Sequence, residues 1–172
     1  RIVAGPHCTM CLADLGAEVI KLEDPRAGDD LRYHKPPDMK CDSPYFLSLN
    51  RNKSSVAVNL ADPEGKKVVH DLLATADIVV ENFRTGVMER HGVGYEDLRE
   101  KFPRLIYCSI SGYGREGSQK SRAAYDPVVQ AESGQMATNG STESGPMRTG
   151  VAVTDTQTGH FAVQGILAAL FA

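Results

Sequence analysis

Asp62-Pro63-Glu64-Gly65-Lys66-Lys67-Val68-Val69-His70-Asp71-Leu72-Leu73-Ala74-Thr75-Ala76-Asp77-Ile78-Val79-Val80-Glu81-Asn82-Phe83-Arg84 carries three structural signals in a row. Asp62 is a capping residue and Pro63 falls at the first helical position, the pairing that starts helices. Val69 and Leu73 recur at helical spacing, so a helix is expected from there to about Ala74. Ile78-Val79-Val80 is a short β-branched run and reads as a buried strand. The polar group Glu81-Asn82-Phe83-Arg84 then follows directly. Helix, buried strand and polar turn form the unit from which parallel sheets covered by helices are built.

The same alternation extends both ways. Upstream, Pro6 to Gly16 reads as a helix, Glu18 to Leu22 as a strand, Asp24 to Pro44 as a long loop and Ser55 to Leu60 as a strand. Downstream come short helices at Thr85 to His91 and Tyr95 to Lys101, a strand at Leu105 to Ile110 and a helix at Asp126 to Gln135. A Gly/Ser/Thr loop to Gly145, a short strand near Val151 to Val153 and a helix from Asp155 complete the pattern. The expectation is an α/β fold: one Rossmann-like parallel sheet covered by helices, in a single domain over residues 1–172. Arg1-Ile2-Val3 reads as the tail of a strand and the last helix has no stop signal, so both ends are expected to be truncated.

Composition removes whole classes of function. With 41% hydrophobic and 24% charged residues the 172-residue chain is ordinary for a globular protein. A net charge of −3 argues against a nucleic-acid or membrane-surface binder, so any polyanionic ligand must be held by a local basic cluster. Cys8 and Cys11 have metal-ligand spacing, but they lack a second pair and sit in a helical pattern, so no metal site is expected. The four cysteines fit a reducing compartment.

In open parallel sheets, ligands bind beyond the carboxyl ends of the strands. The chain has no GxGxxG after a strand, no GxxxxGK[ST], no HExxH and no GxSxG elbow. What stands at strand ends instead is Glu81 to Arg84, Ser111 to Gly114, and Thr154-Asp155. An Asp at a helix start is ordinarily a cap. The same position also suits a nucleophile. A carboxylate with an ordinary pKa of about 3.9 is ionised at neutral pH and needs no base to activate it. Backbone N–H groups of the first helical turn are candidate donors to an oxyanion. Lys53, Arg84 and Arg90 lie near strand ends, either as phosphate ligands or as solvated surface charge. Phe83 fits either an adenine stack or the core.

These segments, taken in order, resemble the family III CoA-transferases, which include the α-methylacyl-CoA racemases. The matching runs include Ala4-Gly5-Pro6, Leu12 to Glu23, Gly28-Asp29-Asp30 with Arg32, Asn50 to Leu60, Asp62 to Gly65, Ala76 to Gly86, Gly94 to Leu98, Pro103 to Gly117, Ala124-Tyr125-Asp126 and Gly150 to Gly159. The resemblance implies a longer chain that interlocks with a second copy as linked rings. It implies CoA as a substrate, with no permanently bound cofactor, and acyl-CoA and carboxylic acids as partners. Asp155 matches the nucleophilic aspartate, which passes through an acyl-aspartyl anhydride and an aspartyl-CoA thioester. CoA-binding positions match Ala4, Asn82, Phe83 and Arg90, with Val58 through its backbone; Lys53 and Arg84 are added from the charge argument.

Arg1, Val3, Asp24 and Ala123 depart from the formyl-CoA branch. The racemase branch places a His where Tyr125 stands, which favours transfer over racemisation. Gly28-Asp29-Asp30, Asn50 to Lys53 and Val151 to Asp155 are most similar to the dicarboxylate branch, exemplified by succinyl-CoA and glutarate. That branch is cytoplasmic in bacteria and belongs to the mitochondrial matrix in eukaryotes. Two alternatives remain: an acyl-CoA racemase, and a non-catalytic fragment that binds CoA or serves in assembly.

Overall fold

A computed structural model describes residues 1–172. It begins with helix α1 (Ala4–Asp14), strand β1 (Val19–Glu23), a 3-10 turn (Asp30–Tyr33), helix α2 (Pro44–Asn50) and strand β2 (Lys53–Ala57). Helix α3 (Pro63–Leu73), strand β3 (Ile78–Glu81), the one-turn helices α4 (Val87–Arg90) and α5 (Tyr95–Leu98), and strand β4 (Ile106–Ser109) follow. The last part is helix α6 (Asp126–Glu132), a 3-10 turn (Gln135–Thr138), the short pair β5 (Gly140–Ser141) and β6 (Gly145–Pro146), and the long helix α7 (Val153–Phe171).

The α/β character and the parallel pairing are as expected, with one refinement. The parallel strands form two separate ladders. Val19 stands opposite Lys53 in the β1–β2 ladder, and Ile78 stands opposite Ile106 in the β3–β4 ladder. A third, antiparallel pair joins β5 and β6.

Local chemistry explains the element starts. Asp62 caps α3 by accepting the Glu64 N–H at 2.9 Å. Ser43 caps α2 by accepting the Phe46 N–H at 2.9 Å, with Pro44 at the first helical position. The expected loop from Asp24 to Pro44 is interrupted by the 3-10 turn, and helix α2 follows it where no element was expected. Two further expectations fail. Arg1 to Val3 is not a strand: Ile2 has φ 59° and Val3 precedes α1 directly. Val151 to Val153 is not a strand either, because Val153 is already the first residue of α7.

Three apolar clusters hold the layers together. Ala4, Cys8 and Leu12 of α1 pack on Val163 and Ile166 of α7, over Ile110 and the β3–β4 ladder. Val3, Met10, Leu31, Phe46 and Leu49 join α1 to α2, with Ala152 packed against them. Val58, Val69, Leu73, Val93 and Leu98 form the third cluster, under α3 and α5. The first two clusters bring the N-terminal ends of α1 and α7 together, and the candidate site lies there. Gly159 permits the approach: a Cβ at that position would lie 2.9 Å from the Ala4 carbonyl oxygen.

Candidate active site

Asp155 is the third residue of α7, inside its first turn and not at its cap. The capping comes from another helix. Asp126 accepts the Thr154 N–H at 2.7 Å, the Thr154 hydroxyl at 2.5 Å and the Asp155 N–H at 3.2 Å, all on one oxygen. Its other oxygen accepts the Gln130 side-chain amide at 2.5 Å. An N-cap acceptor satisfies the N–H groups a helix start leaves unpaired. With Asp126 in that role, the Asp155 carboxylate is left with no hydrogen bond from the chain.

The other first-turn N–H groups are also occupied. The Val153 N–H donates to the Val151 carbonyl and the Thr156 N–H to the Ala152 carbonyl. The expectation that this turn supplies oxyanion donors is therefore corrected: none of its four N–H groups is free.

Burial is the main influence on the half-buried Asp155, and the negative charge of Asp126 is the second. Together they push its pKa up to about 6. The ordinary value near 3.9 does not hold here, because desolvation and a like charge both disfavour the anion. The Tyr45 phenol on α2 is pushed up by burial and then by the charges of Asp155 and Asp126.

Asp155, Gly159, Val163 and Ile166 recur at the spacing of one helix face, the face that meets α1. Ala4 and Gly5 lie between that face and Asn82. A Cβ on Gly5 would stand 3.0 Å from the Asn82 side-chain oxygen. The Asn82 amide donates to the Arg1 carbonyl at 2.8 Å and accepts from the Arg1 backbone nitrogen at 2.6 Å. Ala4 and Gly5 thus link Gly159, one turn beyond Asp155 on α7, to Asn82.

The turn after β3 is built on a buried acid. Glu81 accepts the Phe83 N–H at 2.9 Å, the Ser109 hydroxyl, and the Arg115 guanidinium at 2.5 Å. Arg115 also donates to the Phe83 carbonyl at 3.1 Å. This pins a half-buried Phe83 and leaves Arg84 exposed beside it. Arg90, at the end of α4, is exposed too, and neither arginine makes an ion pair.

Lys53 and Val58 are placed differently. The Lys53 ammonium donates to the Pro6 carbonyl at 2.7 Å, the Leu49 carbonyl at 2.8 Å and the Asn50 side chain at 3.1 Å. Burial, then the charge of Lys21, brings its pKa down to about 7. All three of its donors face inward. Val58 is buried under α3, and its N–H donates to the Glu23 carbonyl at 2.9 Å.

Asp126, Gln130 and Arg115, the side chains that hold Thr154 and Glu81 in place, are the participants that the sequence does not reveal. Asp126-Pro127 is legible only as a helix start, and nothing in its spacing ties it to Thr154.

The whole chain, residues 1–172, matches the model of CoA-transferase family III. It is 51% identical to the succinyl-CoA:glutarate CoA-transferase of Mus musculus over 170 residues, covering 99% of this chain and 39% of that protein. It is 43% identical to the succinate–glutarate CoA-transferase of Agrobacterium fabrum over 176 residues, covering 99% of this chain and 44% of that protein. The crystal structure of a CAIB/BAIF family protein from Brucella suis superposes with a TM-score of 0.94 at 42% identity, covering 99% of this chain and 46% of that one. The chain therefore spans less than half the length of these relatives. Unbroken matching from Arg1 to Ala172, with Asp155 on the α7 face that meets Ala4, leads to one assignment: the chain belongs to CoA-transferase family III.

Proposed function

We propose that the full-length protein is a CoA-transferase. It moves CoA from succinyl-CoA to a dicarboxylate such as glutarate, through covalent intermediates on Asp155. One observation carries this reading: Asp126 accepts the first-turn N–H groups of α7, and the Asp155 carboxylate beside it is half-buried, raised in basicity and without a hydrogen bond from the chain.

A carboxyl titrating near 6 is still about nine-tenths ionised at pH 7, and its higher basicity makes it the better nucleophile. In the first step an Asp155 oxygen bonds to the thioester carbonyl carbon. The C–S bond breaks and the electron pair leaves with sulfur, giving a succinyl-aspartyl anhydride and CoA thiolate. The thiolate then attacks the Asp155 carbonyl carbon, releasing succinate and forming the aspartyl-CoA thioester. Glutarate attacks that thioester and expels the thiolate, forming a second anhydride. Attack by the thiolate on the glutaryl carbon restores the Asp155 carboxylate and forms glutaryl-CoA. No proton is gained or lost over the cycle.

Arg84 and Arg90 bind the CoA phosphates in this account, since exposed guanidiniums without acidic partners suit anionic oxygens. Phe83 offers a face to the adenine. Ala4 and Asn82 complete the groove, while Lys53 supports it from beneath by fixing Pro6 and Leu49. Donors for the oxyanion come from outside the first turn of α7. Two full-length chains interlock in the assembled enzyme.

The experiment is transfer kinetics with succinyl-CoA and glutarate on full-length Asp155→Ala. The expected result is a loss of kcat by at least about a thousandfold, with an unchanged circular dichroism spectrum. Transfer at the wild-type rate in the folded variant would remove Asp155 from the chemistry.

A further inference from the structure

His7 and Cys11 lie one turn apart on α1 and face the same way. His160 comes from α7, and its Nε2 lies 3.3 Å from the His7 Nε2, the two rings being nearly perpendicular at 83°. The Cys11 Sγ lies 3.8 Å from that same His7 nitrogen. The three ligand atoms all fall within 4.8 Å of one another. Around a tetrahedral zinc ion, with Zn–N near 2.05 Å and Zn–S near 2.3 Å, two nitrogens stand about 3.3 Å apart and a nitrogen and a sulfur about 3.5 Å apart.

We propose that His7, Cys11 and His160 bind one zinc ion, with water at the fourth position. Gly159 makes the approach possible, because a Cβ there would meet the His7 ring at 2.9 Å. His160 is exposed, so an ion has a path from solvent. Of the charges nearby, Arg51 is paired with Asp14 and Lys53 is bonded inward. The Cys11 thiol gives up its proton on ligation, which supplies the charge that offsets them. His160 lies five residues beyond Asp155 and on another face of α7, so the ion joins α1 to α7 beside the catalytic groove.

The test is cobalt titration of chelator-treated, reduced full-length protein, followed by zinc displacement. One cobalt per chain is expected, with a thiolate-to-cobalt charge-transfer band and the intense d–d absorption of a four-coordinate ion, both abolished by zinc. Cys11→Ser removes the charge-transfer band and weakens binding at least tenfold. His160→Ala, at an exposed position, weakens it at least tenfold in a folded protein, and Cys41→Ser changes neither spectrum nor affinity. Wild-type protein without the charge-transfer band, or affinity unchanged in both Cys11→Ser and His160→Ala, overturns the site.

Discussion

Asp155 at neutral pH is a charge held where both burial and Asp126 oppose it. Its folded pKa of about 6 lies above the unfolded value of about 3.9. A raised carboxyl binds its proton more tightly in the folded state, so ionised Asp155 costs stability, fully above pH 6 and not at all below about pH 4. Two pKa units correspond to about 3 kcal/mol. Solvent screening of a half-buried group brings that down to about 1–2 kcal/mol. Asp155→Asn in the full-length protein is therefore expected to be more stable than wild type by about 1–2 kcal/mol at pH 7 and equal to it near pH 4. Urea unfolding at the two pH values checks this, and a variant less stable than wild type at pH 7 contradicts it. An inactive but stabilised variant is the ordinary signature of a functional residue held at a structural cost.

At the scale of elements, the junction of α1 and α7 determines whether the site exists. Gly159→Ala would drive a methyl group against the Ala4 carbonyl and the His7 ring, each 2.9 Å from its Cβ. Because one obstacle is backbone, the helices must move apart. The expected cost is about 2–3 kcal/mol, read as a lowered denaturation midpoint, with a parallel loss of transfer rate as Asp155 shifts. An unchanged midpoint would mean the two helices are not held this closely. Elements with local signals were legible in the sequence. Asp62-Pro63 marks the start of α3 within its own four residues, and Ile78-Val79-Val80 marks β3 by composition. Helix α2 carries an equally local signal, Ser43-Pro44, but a Pro-rich loop precedes it and hides the boundary. The start of α7 was not legible. Val151 and Val153 favour a strand by propensity, and only Asp126, more than twenty residues earlier in the chain, turns the segment into a helix by accepting its N–H groups. For the same reason the elevated basicity of Asp155 was invisible, since it depends on a tertiary neighbour.

Taken whole, the molecule is acidic, with a net charge of −3, yet the proposed ligand is a polyanion. Binding must then rest on local charge, and Arg84, beside Phe83, and Arg90, at the end of α4, are exposed and without an ion pair. Arg84→Ala with Arg90→Ala is expected to raise the KM for acyl-CoA by about tenfold or more, each lost charged contact being worth roughly 1 kcal/mol. The effect should shrink as salt is added, with kcat little changed. Steady-state kinetics at low and high ionic strength checks this, and a fall in kcat alone contradicts the phosphate-binding role.

In the proposed cycle the Asp155 carboxylate becomes covalently bonded during transfer. The most direct measurement is mass spectrometry of the full-length protein incubated with succinyl-CoA, trapped with hydroxylamine or borohydride and digested. A modified peptide is expected whose fragmentation localises the change to Asp155, absent without succinyl-CoA and absent in Asp155→Ala. Wild-type turnover with an unmodified Asp155, or trapping at another carboxylate, would contradict it.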